Sequence, residues 1–584
     1  MKTGVMLVLL LSLLFLNSLG AQSTLLKMDN IYPDELRIAG FELSSPQPVK
    51  IEATGVYQRE EGYELIAGNC WILDAESREV IWSFKPVDYR MGRPDGQHQK
   101  DRIELGDGIY EVYYSTFSYY SNDNIWRNRH FPDNHGFFGT FFQWLFGDRH
   151  RWWWGRLDRE LYRELKLEIK AEGKPLSKTE VFTNQEKVRQ KTALSLIADR
   201  DDKYIYRGFI LKKPAEIKVY CLGEAYRHEN FDYGWILNTG NRRRVWELTY
   251  SNSEPAGGAE KNRLVRETIS LPAGEYAVFY ATDDSHSPQQ WNSAPAFDAY
   301  FWGLIFWEVQ PASAFQSHDF QPVDQDREIL SLTGVRNSEV RSGGFSLKNP
   351  ADLHLYAIGE GRDHEMYDYG WIVNAQTREI VWKMNYDVTV HAGGSSKNRL
   401  QDEIVSFPAG KYMAYFITDG SHSYQEWNAD PPYGQQHYGL TVALGQDGVS
   451  LKDVDTFAEF EDPAVLARMI RVRDSEQVQD NFRLEEDSEV RIYALGEGWQ
   501  GEMYDYAWIT EKETGQVVWK MSYRLTDHAG GARKNRLFNN VVFLKKGDYE
   551  VYYRTDDSHS FEEWNDLPPN DPVSWGITIY RVSE

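Results

Sequence analysis

Gly370-Trp371-Ile372-Val373-Asn374, Ala375-Gln376-Thr377 and Arg378-Glu379-Ile380-Val381-Trp382 form the stretch on which the fold turns. Two runs rich in β-branched and aromatic residues flank a polar triplet, which is the pattern of a β-hairpin. A related turn earlier in the chain, Thr239-Gly240-Asn241, has the stronger turn chemistry of Gly beside Asn. Around the hairpin, Leu353-His354-Leu355-Tyr356-Ala357-Ile358 and Lys411-Tyr412-Met413-Ala414-Tyr415-Phe416-Ile417 alternate with period two, as half-buried strands do. Pro408-Ala409-Gly410 and Pro272-Ala273-Gly274 are turns that lead into a strand. About seven or eight short strands and no long helix are expected in this unit.

The unit recurs. Asp232-Tyr233-Gly234-Trp235, Asp368-Tyr369-Gly370-Trp371 and Asp505-Tyr506-Ala507-Trp508 stand 136 and 137 residues apart. The same offsets relate Thr282, Thr418 and Thr555, and also Trp302-Gly303, Tyr438-Gly439 and Trp575-Gly576. The period is too long for a solenoid and close to the size of a whole domain. A divergent fourth copy lies in front. Cys70-Trp71-Ile72 opens its hairpin, Glu79-Val80-Ile81-Trp82 matches Glu379-Ile380-Val381-Trp382, and Tyr110–Tyr114 matches Tyr549–Tyr553.

The expected fold is therefore all-β: tandem antiparallel β-sandwich modules, Ig-like or jelly-roll-like, with strand order left open. The copies span 30–172, 188–312, 326–446 and 464–584, with linkers at 310–325 and 445–463. The first copy carries an aromatic, partly helical insertion at 131–159, marked by Phe137-Phe138, Trp152-Trp153-Trp154 and the helically spaced Leu157, Leu161 and Leu165. That insertion is read either as a subdomain packed on the first sandwich or as an aromatic surface for a partner or a membrane interface.

A length of 584 residues agrees with about four domains. The net charge of −24 argues against nucleic acid as a partner, because such binders need a basic footprint. Met1-Lys2, the apolar run Val5 to Leu16 and the small residues of Ser18-Leu19-Gly20 read as a signal peptide over 1–20, cleaved after Gly20 or Ala21. No later apolar run is long enough to form a transmembrane segment. The expected address is outside the cytoplasm: secreted, cell-surface or periplasmic. Cys70 and Cys221 stand where other copies carry Gly or Ala, so each is read as a buried free thiol.

Three copies of one module provide an internal comparison: a residue kept in all three answers a shared constraint. One kept group is the triplet Lys261-Asn262-Arg263, Lys397-Asn398-Arg399 and Lys534-Asn535-Arg536, each preceded by Gly-Gly. Lys100-Asp101-Arg102 is taken as its counterpart in the front copy, with the connection to the next strand five residues shorter there. The second group is the loop containing Asp283 and His286, Asp419 and His422, or Asp556 and His559, with Ser on both sides of each His. Trp291-Asn292, Trp427-Asn428 and Trp564-Asn565 follow at constant spacing. The third group pairs a Glu (224, 360, 497) with an Asp (232, 368, 505). His391 and His528 become Ala256 in the remaining copy and fall outside any shared site.

These letters bear on several chemistries. A nucleophilic triad needs Ser, His and Asp aimed at one another, which neighbours in one loop rarely achieve, and no Gly-x-Ser-x-Gly elbow is present. Calcium would use the three shared acids, but Lys and Arg lie in the same kept set. Zinc lacks ligands, with one shared His per copy. Trp, Arg, Asn, Asp and His together form a palette suited to a glycan or peptide. Alternatively the same groups tie down long loops by bonding to one another.

The sequence thus points to an exported, non-catalytic binding or scaffold protein with a glycan or protein ligand. Ligand-binding candidates are Lys261, Arg263, Asp283, His286, Trp291 and Asn292, and their counterparts Lys397, Arg399, Asp419, His422, Trp427, Asn428, Lys534, Arg536, Asp556, His559, Trp564 and Asn565. No catalytic residue, metal or cofactor is expected. A purely structural role for the loops is the first alternative; a metal-dependent module or hydrolase acting through them is the second.

Overall fold

The computed structural model describes residues 23–60, 63–85, 95–117, 119–121, 163–227, 229–445, 449–458 and 462–582. The signal segment 1–20 and the insertion 131–159 lie outside the described residues. The regular structure described is mostly antiparallel strand, as the alternation in the sequence requires.

The third module shows the plan. Its first sheet runs Glu328–Thr333, Gly439–Leu444, Ala351–Arg362, Asn398–Phe407. Its second runs Val340–Leu347, Gly410–Ile417, Tyr369–Asn374, Ile380–Lys383. Numbered along the chain, one sheet is therefore first–eighth–third–sixth and the other second–seventh–fourth–fifth. An Ig sandwich would pair its first strand with its second; here the first pairs with the last, which is jelly-roll order. The fourth module repeats this order with Val465–Ile470, Gly576–Arg581, Ser488–Trp499 and Asn535–Leu544 facing Gln477–Leu484, Gly547–Arg554, Tyr506–Glu511 and Val517–Lys520. The first and second modules follow it too. In the second, the bend between Ala215–Tyr226 and Glu229–Asn238 is itself paired, so its two sheets merge into one of ten strands.

Alternate residues from the two sheets meet between them. In the third module Phe345, Leu353, Leu355, Ile372, Tyr412 and Val442 are all buried in one core. Each such side chain contributes about 1.5–3 kcal/mol relative to exposure. Cys70 and Cys221 are buried free thiols in these cores, and burial pushes both thiols up from their ordinary range.

The boundaries differ from those expected at several points. The first strand of module 1, Thr24–Met28, pairs with Lys166–Lys170 and begins before residue 30. The stretches read as linkers contain strands: Phe315–His318 joins Tyr204–Leu211, and Val454–Phe457 pairs with Val340–Leu347. Lys174–Leu176 does the same on Leu36–Leu43. Each covers a strand that would otherwise expose its backbone as a sheet edge. An α-helix, Lys178–Gln190, also occupies the unassigned interval before module 2. It starts with a reciprocal cap between Ser177 and Glu180, a serine–glutamate signature that the sequence shows and the strand reading passed over. No helix among the described residues is long and apolar enough to cross a membrane.

Packing divides the chain into two compact units, residues 1–236, 246–273 and 278–317, and residues 237–245, 274–277 and 318–584. Within each, two modules meet through the same joint, built on the hairpin quoted at the outset. In the first unit Trp71 stacks on Tyr113 at 5.2 Å and its indole Nε1 donates to the Phe297 carbonyl at 2.7 Å. Seven residues on, Arg78 turns inward at φ 60° and is fully buried. It donates to Glu111 at 2.6 and 3.0 Å and to Asp298 at 2.5 and 3.1 Å. In the second unit Trp371 stacks on Tyr415 at 5.2 Å and donates to the Asn570 carbonyl at 2.7 Å. Arg378, at φ 66°, donates to Asp571 at 3.2 Å. The homologous Arg242 belongs to the second unit and donates to both oxygens of Asp402 in the same unit, at 2.7 and 2.6 Å. In module 4 the position is Gly515.

Candidate functional site

The kept polar residues of modules 2, 3 and 4 gather at one end of each sandwich. In module 3, Asn398 opens a strand opposite Glu360, and the loop after Gly410–Ile417 folds over it. His422 sits in that loop at φ 54°, with His286 at 64° and His559 at 60°. This left-handed turn drives the imidazole inward, and all three rings are 0% exposed. Asn398 Nδ2 donates to the carbonyls of Gly393 and Asp430 at 2.8 and 2.9 Å, so its Oδ1 is left to accept. The His422 ring therefore carries its proton on Nε2 and donates to that oxygen at 2.7 Å. Nδ1 lies 3.0 Å from Asn428 Oδ1. Modules 2 and 4 repeat this, with Nε2–Oδ1 distances of 2.6 Å for His286–Asn262 and for His559–Asn535. Nδ1 of His286 and of His559 faces Asn292 and Asn565 at 2.8 and 3.0 Å.

The paired glycines explain how the loop closes. Gly393 and Gly394 have φ of 87° and 63°. A Cβ on Gly394 would stand 2.1 Å from the Pro431 carbonyl oxygen, and one on Gly531 1.9 Å from that of Pro568. Only glycine allows both the left-handed turn and this approach.

Trp427 packs edge-on against His422 at 5.1 Å and against Tyr438 at 5.0 Å, half-buried over the cluster. Trp291 and Trp564 do the same over His286 and His559 at 4.9 and 5.2 Å. Lys397 Nζ reaches Asn428 Oδ1 at 2.5 Å and Glu360 Oε1 at 2.8 Å. Lys261 reaches Asn292 and Glu224, each at 3.0 Å; Lys534 reaches Asn565 at 2.5 Å and Glu497 at 3.0 Å. The arginines turn elsewhere. Arg399 lies over the Tyr386 ring at 4.5 Å and its Nε donates to Thr389 at 2.8 Å. Arg263 lies over Tyr250 and Arg536 over Tyr523 at 4.2 and 4.3 Å.

Beneath Lys397 lie the acids. Asp368 accepts from the Asp419 amide at 2.7 Å and from the Tyr438 hydroxyl at 2.5 Å. Asp505 accepts likewise from the Asp556 amide and the Trp575 indole at 2.8 and 3.2 Å. In module 2 Asp232 accepts from the Asp283 amide at 2.8 Å and the Trp302 indole at 2.7 Å. Asp283, Asp419 and Asp556 in turn accept from the amides of Ser285, Ser421 and Ser558. Burial, then the neighbouring carboxylates, holds Asp368 and Glu360 above their ordinary range, and Asp505 is pushed up to about 8. Burial, with the nearby lysine, pushes His422 and His559 down to about 4 and His286 well below its usual value. No serine hydroxyl meets either ring nitrogen in these clusters, since Asn398 and Asn428, or their equivalents, face both.

The structure thus brings together most of the sequence candidates, Lys, Asp, His, Trp and Asn of each copy, and places Arg263, Arg399 and Arg536 at the neighbouring turn. The front-copy assignment is corrected. Gly55 pairs with Gln97 where Gly359 pairs with Arg399, so the triplet position falls on residues 95–97. Asp101 instead accepts from Trp82 as Glu403 accepts from Trp382, at 2.6 and 2.7 Å. Lys100-Asp101-Arg102 is consequently mid-strand, the connection to the next strand keeps its full length, and module 1 lacks the triplet. Sequence reasoning also missed Arg78 and Arg378, although their signal was present: an Arg seven residues after the hairpin Trp in three copies and Gly515 in the fourth.

No protein-family model matches the chain, and none of the curated protein sequences compared with it does. Among solved structures, a single-particle cryo-EM structure of the arabinofuranosyltransferase AftD from Mycobacteria aligns at 7% identity with a TM-score of 0.09. That alignment covers 90% of this chain and 39% of the other.

Proposed function

We propose that the chain is an exported, non-catalytic scaffold of tandem jelly-roll modules, and that its repeated polar loops clamp the end of each sandwich rather than grip a ligand. One observation supports this above all: the polar ends of the kept residues are taken by one another. His422 donates to Asn398, Lys397 is held between Asn428 and Glu360, and the imidazole has no exposed surface. Groups set to recognise a glycan would present donors and acceptors to solvent; these spend them internally. The buried joints at Arg78 and Arg378 also favour a scaffold, since they fix paired modules in one arrangement.

The test uses the exported chain on glycan and protein arrays, compared with the variant Trp291→Phe/Trp427→Phe/Trp564→Phe. The scaffold reading expects a lowered melting temperature and an unchanged array profile. A ligand lost from the array with the fold intact would instead favour recognition through the loops. Export is tested separately by the mass of the product released from cells: loss of residues 1–20 is expected, and a product retaining them overturns the address.

A further inference from the structure

The acids beneath Lys397 and Lys534 leave one feature that clamping does not explain. In module 3 one oxygen each from Glu360, Asp368 and Asp419 lies within 4.8 Å of the others, and in module 4 so do those of Glu497, Asp505 and Asp556. Glu360 is 5% exposed and Glu497 6%. Each gives Oε1 to its lysine, while its buried Oε2 has no hydrogen-bond partner. A buried carboxylate oxygen without a donor is costly; it recurs at Glu224 of module 2, but among the described residues only modules 3 and 4 bring the three acids this close together.

We propose that each of these two triads binds a hard divalent cation, calcium above all, with the free Oε2 of Glu360 or Glu497 as its buried ligand. The donor set is all oxygen and carboxylate, which suits calcium and not the softer metals. Oxygens on opposite sides of a calcium ion stand at most about 5 Å apart, at ligand distances of about 2.4 Å, so oxygens that all lie within 4.8 Å of one another can share one ion. Once ionised, the three acids outweigh the single ammonium, and one divalent ion offsets the difference. The hydrogen bonds already made to Asp368 and Asp419 do not exhaust them, because a carboxylate offers about four acceptor positions. Asp419 and Asp556 are half-buried and form the open side through which an ion and its waters enter. The arginines do not oppose the charge: Arg399 and Arg536 are held over tyrosine rings at the adjacent turn.

The experiment titrates the exported full chain, stripped with chelator, first with terbium and then with competing calcium, exciting tryptophan. Trp575 donates to Asp505, so its indole stands beside the module 4 triad and will sensitise a bound lanthanide. We expect sensitised emission displaced by calcium at about 10⁻⁴–10⁻³ M, the range of extracellular modules, and a melting temperature raised by calcium. Glu360→Gln/Glu497→Gln removes the emission while the far-ultraviolet circular dichroism is kept. If that variant does not fold, Asp419→Asn/Asp556→Asn, on the half-buried side, serves the same purpose. Absence of sensitised emission together with a melting temperature indifferent to calcium overturns the proposal, as does binding that survives both variants. The scaffold reading stands or falls on the arrays and is untouched by either result.

Discussion

The two joints are built from the same parts and differ in one. Arg78 is enclosed by two carboxylates, with all its reach used on Glu111, Asp298 and the Ala75 carbonyl. Arg378 has only Asp571 and a long 3.4 Å bond to the Tyr580 hydroxyl, and its Nε is left without a partner. The strand registers explain the difference. Glu111 faces Leu73 as Met413 faces Val373, so the second acid of the first joint is a methionine in the second. Hydroxyls support the acids of both joints: Tyr415 and Tyr493 donate to Asp571 at 2.6 and 3.2 Å, Tyr220 to Asp298 at 2.7 Å and Tyr113 to Glu111 at 2.5 Å. A buried charge is tolerated by a folded chain only when its partners are in place, so identical architecture conceals unequal dependence on the arginine.

The largest expected effect follows directly. Arg78→Met removes the one cation from two buried carboxylates, which keep only the neutral donors Tyr113, Gln185 and Tyr220, and should cost about 3–5 kcal/mol, read as an early transition of the first unit in chemical denaturation. Arg378→Met strands one carboxylate that keeps two hydroxyl donors, and should cost clearly less, on the order of 1–3 kcal/mol. Equal costs would break the comparison. Glu111→Met makes the first joint resemble the second; it should cost less than Arg78→Met, and the double variant should show coupling of at least about 1 kcal/mol in a mutant cycle.

Acid should separate the units in the other direction. A buried His with a depressed pKa stabilises fully above its unfolded value near 6.5, and that contribution is lost as pH falls toward about 4, because the unfolded chain takes up the proton first. At pH 4 the loss approaches about 2–3 kcal/mol for each such ring. The second unit holds His391, His422 and His559 and the first holds His286. Protonation of raised acids such as Asp368 and Asp232 stabilises both units over the same range. The histidine loss from pH 7 to pH 4 is therefore read as the difference in melting between parent and His→Asn variants, and should be larger in the second unit. His422→Asn/His559→Asn should remove their share of that loss. The smallest effect is expected at the terminal hairpin. Gly515→Arg restores the pattern of the other copies at φ 70° with nothing within 4 Å to clash, and should cost about 1 kcal/mol, from the backbone alone. A stabilising result would show that an acid does meet this position.

Much of the fold was legible because it is written locally. Period-two runs such as Leu353–Ile358 and the hairpin at Gly370–Trp382 became strands where expected. The short strands hidden in the linkers were not legible, since Phe315–His318 and Val454–Phe457 have little alternation and exist only because an adjacent strand offers them its edge. At the site, the kept Lys, Asn, Asp, His and Trp did converge. The sequence weighed calcium down because Lys and Arg share the kept set; the structure parts them, sending Arg399 to Tyr386 and Thr389 and leaving only Lys397 beside the acids. The front-copy triplet misled because short charged runs recur by chance, and only the pairing of Gly55 with Gln97 fixes the register.

The sequence by itself determined that this chain is four copies of one β-module, with three matched sets of polar loops and two buried thiols. Residue periodicity and identity act over a few neighbours and need no knowledge of what lies across the sheet. The tertiary structure alone decided jelly-roll over Ig order, the direction each lysine and arginine takes, and which arginine is caged by two acids. Those outcomes depend on partners such as Arg78 and Asp298, 220 residues apart, that only the closed fold brings together.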